Sequence, residues 1–206
     1  FATCAAEDLM RRARDALLRS EGPSPAFDDP LQRITTWIGE DDFAELMQRL
    51  AGERGRIARA LEAQGGIEGL VAAIRARHGV NDVADEASLL HAACADGAFD
   101  RPALLAAVAA LAKGGKTDVA RSETIARWLA SPDNLARAKD WWPYCAGYLK
   151  KTDGEILATL ATKAVETGNP GTIAALQREA ERILAVNERC RALAIAEASE
   201  AVARLG

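Results

Sequence analysis

The chain has 206 residues, an apolar fraction of 49% and a formal net charge of −4. Alanine, the strongest helix former, is abundant, whereas the β-branched and aromatic residues that favour strands are scarce. This composition predicts an all-α fold with closely packed helices. The net negative charge argues against a protein that wraps nucleic acid with its whole surface.

Cysteine usage argues against a metal site. The four cysteines are far apart, form no C-x-x-C pair and have only two histidines to assist them, so we expect no zinc. We expect reduced thiols in a cytoplasmic protein at Cys4, Cys94, Cys145 and Cys190.

No apolar run approaches the roughly 20 residues of a membrane span, so no membrane partner is expected. We expect no signal peptide before Phe1, and because an initiator methionine is absent we expect the chain to be an excised fragment.

Apolar residues recur at helical spacing through most of the first half of the chain. The predicted helices cover residues 5–19, 30–38, 41–50, 54–64 and 67–77. Gly65 and Gly66 suit a left-handed C-cap after the fourth of these helices. A loop then leads to a predicted helix over residues 86–95.

Capping residues predict where the next helices begin. Asp100 predicts an N-cap, and Pro102 lies in the first turn, where its missing N–H costs little. Thr117 or Asp118 predicts the cap of the following helix. These two helices are expected to end near residues 113 and 129.

The last third of the chain predicts a long helix at its end. Shorter helices are expected over residues 131–142 and 155–166. After Asn169 and Pro170, an uninterrupted helical pattern continues to about residue 205, which corresponds to about 50 Å. We therefore expect a single helical domain over residues 1–206, with about nine to eleven helices.

Every lysine of the chain lies between residues 113 and 163. Nine cations and six acidic residues give this stretch a charge of +3, so the remainder of the chain carries −7. Half of the aromatic residues lie in the same stretch. Such asymmetry on an acidic protein is typical of a surface that faces a polyanion.

One motif in this stretch resembles a phosphate-binding loop without matching it. The motif is Gly114-Gly115-Lys116-Thr117, but Ala110 stands where the P-loop requires glycine, and a helix precedes it instead of a strand. An ATP site is therefore not expected. A lysine beside the free N–H groups of a helix start still favours phosphate. A helix C-cap followed by a solvated lysine explains the motif equally well.

Two further groups of lysines are candidates for phosphate contact. Lys150 and Lys151 lie in a polar loop, and Lys163 lies on the next predicted helix. Contacts of this kind supply affinity that falls steeply with salt, and they read no base sequence. A solvated charged loop is the alternative that residue chemistry leaves open.

The neighbouring tryptophans are expected to divide between two roles. Trp128 and one of Trp141 and Trp142 are expected in the core, because they lie at helical spacing beside apolar residues. Adjacent helical positions point about 100° apart, so the other member of the pair is expected to be partly exposed. An exposed ring there would offer a stacking surface for bases.

The sequence shows no catalytic constellation. It contains no Glu-x-x-His pair for a di-iron bundle, no Gly-x-Ser-x-Gly elbow and no convincing pairing of cysteine with histidine. We therefore expect no enzymatic activity and no cofactor in this chain alone. ATP hydrolysis by the isolated chain would overturn that expectation.

Three blocks of sequence in combination resemble a known family. They lie at residues 114–118 (GGKTD), 148–155 (YLKKTDGE) and 160–163 (LATK). Together they are similar to AddA, the helicase–nuclease subunit of bacterial double-strand-break repair and a UvrD/Rep-like superfamily 1 helicase. The acidic helical start and the long alanine-rich last helix fit the same region, so the resemblance covers essentially the whole chain.

The resemblance implies that the chain is the helical 1B insertion of the first RecA-like motor domain. In that family the insertion lies between the phosphate-binding loop and the Asp-Glu motif that holds magnesium and water. Neither motif nor the nuclease domain is present here, so the resemblance implies no ATP hydrolysis or DNA cleavage by this chain alone, and it places the parent's ATP and Mg²⁺ elsewhere. The implied partners are duplex or forked DNA, an AddB-type subunit and the remaining domains of the parent, in the bacterial cytoplasm.

One block departs from the family pattern. The family loop commonly has Phe-Leu-Thr-Lys, whereas this chain has Tyr148-Leu149-Lys150-Lys151. The aromatic side chain and the final lysine are kept, but the threonine hydroxyl is lost. If that hydroxyl contacts a phosphate, Lys150 has to replace it.

The leading hypothesis is a non-catalytic accessory module of a DNA-repair helicase that contacts duplex DNA ahead of the motor. The candidate DNA-binding residues are Lys116, Thr117, Lys139, Lys150, Lys151, Lys163 and Trp142. The alternative is a structural or protein-interaction module whose lysines only solubilise one end. One continuous basic face would favour the first hypothesis, and scattered lysines would favour the second.

Overall fold

The computed structural model describes residues 40–205, with side chains from residue 45 to residue 204. The helices predicted over residues 5–19 and 30–38, together with Cys4, lie outside the described residues. The described part contains nine helices and no strand longer than a single bridge. They are α1 (Glu40–Ala63), α2 (Ile67–His78), α3 (Glu86–Ala93), α4 (Arg101–Leu111), α5 (Lys116–Leu129), α6 (Asn134–Lys139), α7 (Trp141–Cys145), α8 (Lys163–Gly168) and α9 (Thr172–Leu205). The predicted all-α fold with a long C-terminal helix is confirmed.

The chain divides into two units by its internal contacts. The first comprises Phe1–Asn81 and Ala194–Gly206, and the second comprises Asp82–Leu193. Both units include part of α9, and all the candidate DNA-binding residues lie in the second. The single domain predicted over residues 1–206 stays a prediction.

In the first unit, α1 is one helix where two were predicted, over residues 41–50 and 54–64. The two glycines between them, Gly52 and Gly55, do not stop it, because an exposed helical glycine costs only about 1 kcal/mol. The break comes at Gly65 and Gly66, which have φ values of 72° and 109°, as their pairing predicts.

In the second unit, aspartate side chains start three of the helices. The carboxylates of Asp85, Asp100 and Asp133 each accept a hydrogen bond from the backbone N–H three residues later, in α3, α4 and α6, at 2.7 to 3.0 Å. The predicted cap at Asp100 is thus confirmed. The single helix predicted over residues 131–142 is instead two short helices, α6 and α7, which meet at Asp140.

An aromatic cluster forms the core of the second unit. The rings of Trp128 and Tyr144 stack with centroids 4.0 Å apart, and Trp141 and Tyr148 extend the cluster on either side of Tyr144. The indole N–H of Trp128 donates to the Arg137 carbonyl at 3.0 Å. These four rings are at most 1% exposed, so their polar atoms need internal partners.

The second-unit part of α9 covers this cluster and supplies buried polar partners to it. Glu179 accepts a hydrogen bond from the Tyr144 hydroxyl at 2.8 Å and pairs with Arg182 at 2.6 Å. Arg182 also donates to the Ala93 carbonyl at 2.9 Å, and Asn187 accepts from the Trp141 indole at 2.9 Å. The buried side of α9 in this unit also carries the polar Thr172 and the apolar residues Leu176, Ala180, Ile183, Cys190 and Leu193.

Candidate nucleic-acid interface

The loop before α5 packs tightly because it contains glycine. A Cβ on Gly114 would lie 2.6 Å from the Cβ of Asp118 and 2.7 Å from a methyl group of Val165 on α8. Any larger residue at this position would force the loop away from α8. The absence of a side chain at Gly114 therefore allows the start of α5 to pack closely against α8.

Asp118 joins the starts of α5 and α8. Its carboxylate accepts hydrogen bonds from the N–H of Gly115 at 3.1 Å, from the N–H of Thr162 at 3.1 Å and from the Thr162 hydroxyl at 2.8 Å. The N-cap predicted at Thr117 or Asp118 is wrong, because α5 begins earlier, with Gly115 as its N-cap. Asp118, at the third helical position, accepts a hydrogen bond from the N–H of this N-cap residue.

The ionised form of Asp118 is favoured despite its burial. Burial alone would raise the pKa of this carboxyl, which is 1% exposed. The hydrogen bonds from Thr162 and Gly115, together with the nearby charge of Arg121, outweigh that effect and lower the pKa below its usual value. A buried anion therefore lies between the two helix starts.

Arg121, one turn further along α5, holds the segment between α7 and α8. Its guanidinium donates to the carbonyls of Gly147 at 2.8 Å, Thr159 at 3.2 Å and Leu160. The helix predicted over residues 155–166 is wrong over residues 155–162, since only Lys163–Gly168 is helical. In a helix these carbonyls would accept hydrogen bonds from the backbone N–H groups four residues later. Here the side chain of Arg121, distant in sequence, donates to two of them instead.

Between Gly147 and Thr159, whose carbonyls Arg121 holds, the chain forms a small hairpin. Leu149 and Ile156 form an antiparallel bridge, and the Lys150 N–H donates to the Glu155 carbonyl at 2.7 Å. Gly154, with φ of 73°, adopts the left-handed conformation that the turn requires. The hairpin exposes Lys151 at its tip.

Lys150 is engaged within the hairpin. Its ammonium group lies 2.6 Å from a carboxylate oxygen of Glu155 and 3.8 Å from one of Asp153. The hydrogen bond to Glu155 and the two negative charges raise the pKa of Lys150. The contact predicted between Lys150 and DNA stays a prediction, but the structure shows that the charge of Lys150 already has internal partners.

Lys116 and Lys163 begin two helices whose starts are joined through Asp118. Lys116 is the first residue of α5, Thr117 is the second, and Lys163 is the first residue of α8; all three are exposed. Lys113 is exposed in the loop that precedes α5. Among the described residues, no carboxylate lies within 4.0 Å of any of these three lysine ammonium groups.

Lys139 and Trp142 lie on the α6–α7 segment. Lys139 is exposed at the end of α6, and the side chain of Trp142 is 50% exposed, whereas Trp141 is fully buried. The predicted division of the tryptophan pair is therefore confirmed. Leu135, on α6, is a second large apolar side chain of this segment that is exposed, at 56%.

The arginines of the stretch from residue 113 to residue 163 contribute less surface charge than the sequence indicates. Arg121 and Arg137 are only 8% and 3% exposed, and Arg137 pairs with Asp96 at 2.6 Å. Its guanidinium also lies 5.5 Å from the ring centre of Phe99. The exposed cations of this stretch without a carboxylate partner within the described residues are Lys113, Lys116, Arg127, Lys139, Lys151 and Lys163.

The candidate residues thus occupy three places in the second unit. The loop before α5 and the start of α8 carry one group, the hairpin carries the second, and the α6–α7 segment carries the third. The first two are anchored by adjacent turns of α5, through Asp118 and Arg121. Sequence reasoning named Asp118 only as a candidate helix cap and missed Arg121, because the partners that they hold on other segments lie 26 to 44 residues away.

A half-open cleft of about 460 Å³ is present elsewhere in the second unit. Phe99, Arg178, Glu179 and Arg182 line it, and none of the candidate DNA-binding residues does. The paired charges of Glu179 and Arg182 satisfy each other. Within residues 40–205, no three His, Cys, Asp or Glu side chains are grouped so that they could hold a metal ion.

Comparisons of the chain with models of protein families, with curated proteins and with solved structures find no match. Within the described part of the chain, no helix combines the length and apolar character needed to cross a membrane.

Proposed function

We propose that this chain is a non-catalytic helical accessory module of an AddA-type DNA helicase–nuclease, and that a lysine-bearing edge, comprising Lys116, Lys151 and Lys163, contacts duplex DNA ahead of the motor. The observation that carries the proposal is the position of Lys116 and Lys163 at two linked helix starts. Each begins a helix, the two helix starts are joined by Asp118, and neither ammonium group has a carboxylate partner among the described residues.

The chemistry of this edge fits phosphate better than it fits other partners. Exposed lysines attract phosphates without reading base sequence, and each phosphate contact releases counterions from DNA. The negative charge of Asp118, which links the two helix starts, is buried and satisfied by three hydrogen bonds, so it does not compete for the lysines. A few contacts of this kind give weak binding that falls steeply with salt.

The proposal is tested by titrating a labelled forked duplex with the chain at low salt. The triple variant Lys116→Glu, Lys151→Glu and Lys163→Glu is expected to abolish binding, because it replaces attraction by repulsion. The matched control reverses three exposed arginines of the first unit, Arg54→Glu, Arg59→Glu and Arg77→Glu, with the same change in net charge. Equal losses in the two variants would indicate only a general effect of net charge and would contradict a localised DNA contact.

A second candidate function is a protein-interaction module, and the exposure of Leu135 and Trp142 favours it. These side chains are 56% and 50% exposed on neighbouring helices, and a partner that covers both would remove apolar surface from water. A purified AddB-type subunit would be the partner. The variant Leu135→Arg with Trp142→Arg should then lose binding to that subunit and keep binding to DNA, whereas the lysine variant should behave in the opposite way.

A further inference from the structure

Arg191 lies against the hairpin although it is distant from it in sequence. It is an exposed residue of α9, outside the stretch that holds the lysines. A Cβ built on Gly154 would be 2.6 Å from the Nη2 atom of Arg191 and 3.7 Å from its Cζ atom. The guanidinium group therefore rests directly beside the bare backbone of the hairpin turn.

The carboxylates that flank Gly154 already have another cation as a partner. Asp153 and Glu155 flank Gly154, and both lie within 4.0 Å of the Lys150 ammonium group. Glu188, one turn earlier on α9, is exposed and does not pair with Arg191. Among the described residues, Arg191 has no carboxylate within 4.0 Å, so its charge is available to a ligand.

We propose that Arg191 and Lys151 form a phosphate-binding pair for the backbone of duplex DNA, and that Lys150 instead stays paired with the carboxylates of the hairpin. This inference rests on the proposed function and adds a residue to its binding surface. Arg191 suits the role because a guanidinium binds two phosphate oxygens at once through parallel N–H groups. Lys151 contributes a second exposed charge from the tip of the same hairpin.

The conformation of Gly154 supports this arrangement. Its φ of 73° suits glycine, and the missing Cβ leaves the space that the guanidinium occupies. A side chain at this position would push Arg191 away from the hairpin. Lys150 is required in a different way, because without it Asp153 and Glu155 would be free to pair with Arg191.

The inference is tested with the whole chain and a labelled duplex of arbitrary sequence, titrated at several salt concentrations. Arg191→Gln and Lys151→Gln should each weaken binding about 3- to 10-fold and lower the slope of log affinity against log salt by about 1. Arg191→Lys should keep the salt dependence and lose part of the affinity, since the charge remains but the bidentate hydrogen bonding to phosphate is lost. The matched control is Arg178→Gln, an exposed arginine of the same helix, which should leave both quantities unchanged.

The possible results separate this inference from the proposed function. If Lys116→Gln with Lys163→Gln weakens binding while Arg191→Gln behaves like Arg178→Gln, the role of Arg191 is wrong and the proposed function stands. If none of these variants changes binding, or if the unaltered chain does not bind duplex at low salt, both are wrong. Circular dichroism melting curves of each variant establish that it is folded before the titration is interpreted.

Discussion

The carboxylate of Asp118 accepts hydrogen bonds from both the N–H and the hydroxyl of Thr162, at 3.1 and 2.8 Å, across 44 residues of sequence. The same carboxylate accepts from Gly115, so one buried side chain closes the start of α5 and fixes the start of α8. Lys116 and Lys163 follow directly after these two fixed points. The arrangement of the proposed DNA-binding edge therefore depends on a residue that is itself inaccessible to a ligand.

Replacement of Asp118 by alanine should lower the free energy of unfolding by about 1 to 3 kcal/mol, because it removes three hydrogen bonds to one carboxylate. Asp118→Asn should cost less, since the amide oxygen still accepts one of the hydrogen bonds. Urea titration followed by circular dichroism measures both effects. The control is Asp140→Ala, an exposed aspartate whose side chain makes no capping hydrogen bond, and its cost should stay within about 0.5 kcal/mol. Equal losses of stability for Asp118→Ala and Asp140→Ala would show that the hydrogen bonds of Asp118 do not stabilise the fold.

The lowered pKa of Asp118 predicts an acid-dependent loss of stability. In the unfolded chain an aspartate has a pKa of about 3.9. Because the folded pKa is lower, the stabilisation is complete above the unfolded value and is lost as the pH falls through the folded one. Urea midpoints measured from about pH 5 downwards should fall more steeply for the unaltered chain than for Asp118→Asn. Parallel curves for the two proteins would contradict this prediction.

Arg121→Lys should loosen the hairpin segment while leaving most helices intact. A lysine ammonium cannot reach three carbonyls spread over two segments of chain as the planar guanidinium does. Hydrogen exchange read by mass spectrometry should show faster exchange in peptides covering residues 147–162. Peptides from α1 and α2, in the first unit, provide the internal comparison. Faster exchange throughout the chain would instead indicate a general loss of stability.

The three described cysteines should be unreactive in the folded chain. Burial raises the pKa of Cys145 to about 12 and the pKa values of Cys94 and Cys190 to about 11, so few thiolates form near neutral pH. In a Cys4→Ser background, labelling with a thiol reagent at pH 8 should be at least about 100-fold slower than in guanidinium chloride. Rapid reaction of any one thiol under native conditions would contradict the buried arrangement.

Local sequence patterns predicted the helical fold and several of its boundaries. Asp100 caps α4, Gly65 and Gly66 end α1, and the pattern after Pro170 produces the long helix α9. The exposed position of Trp142 beside the buried Trp141 also followed from the helical angle between neighbours. These features depend on residues within one or two turns of each other, so the sequence alone contains the information.

The arrangement of the candidate site depended on contacts that no local pattern encodes. Residues 155–162 have a helical composition, but Arg121 donates hydrogen bonds to the carbonyls of Thr159 and Leu160, and the segment is not helical. Lys150 is paired internally, and Arg191 reaches Gly154 from the last helix. The sequence by itself therefore determined which helices form and where the positive charges are concentrated. Only the tertiary structure decided which of those charges remain free, because burial and pairing are set by residues far apart in the chain.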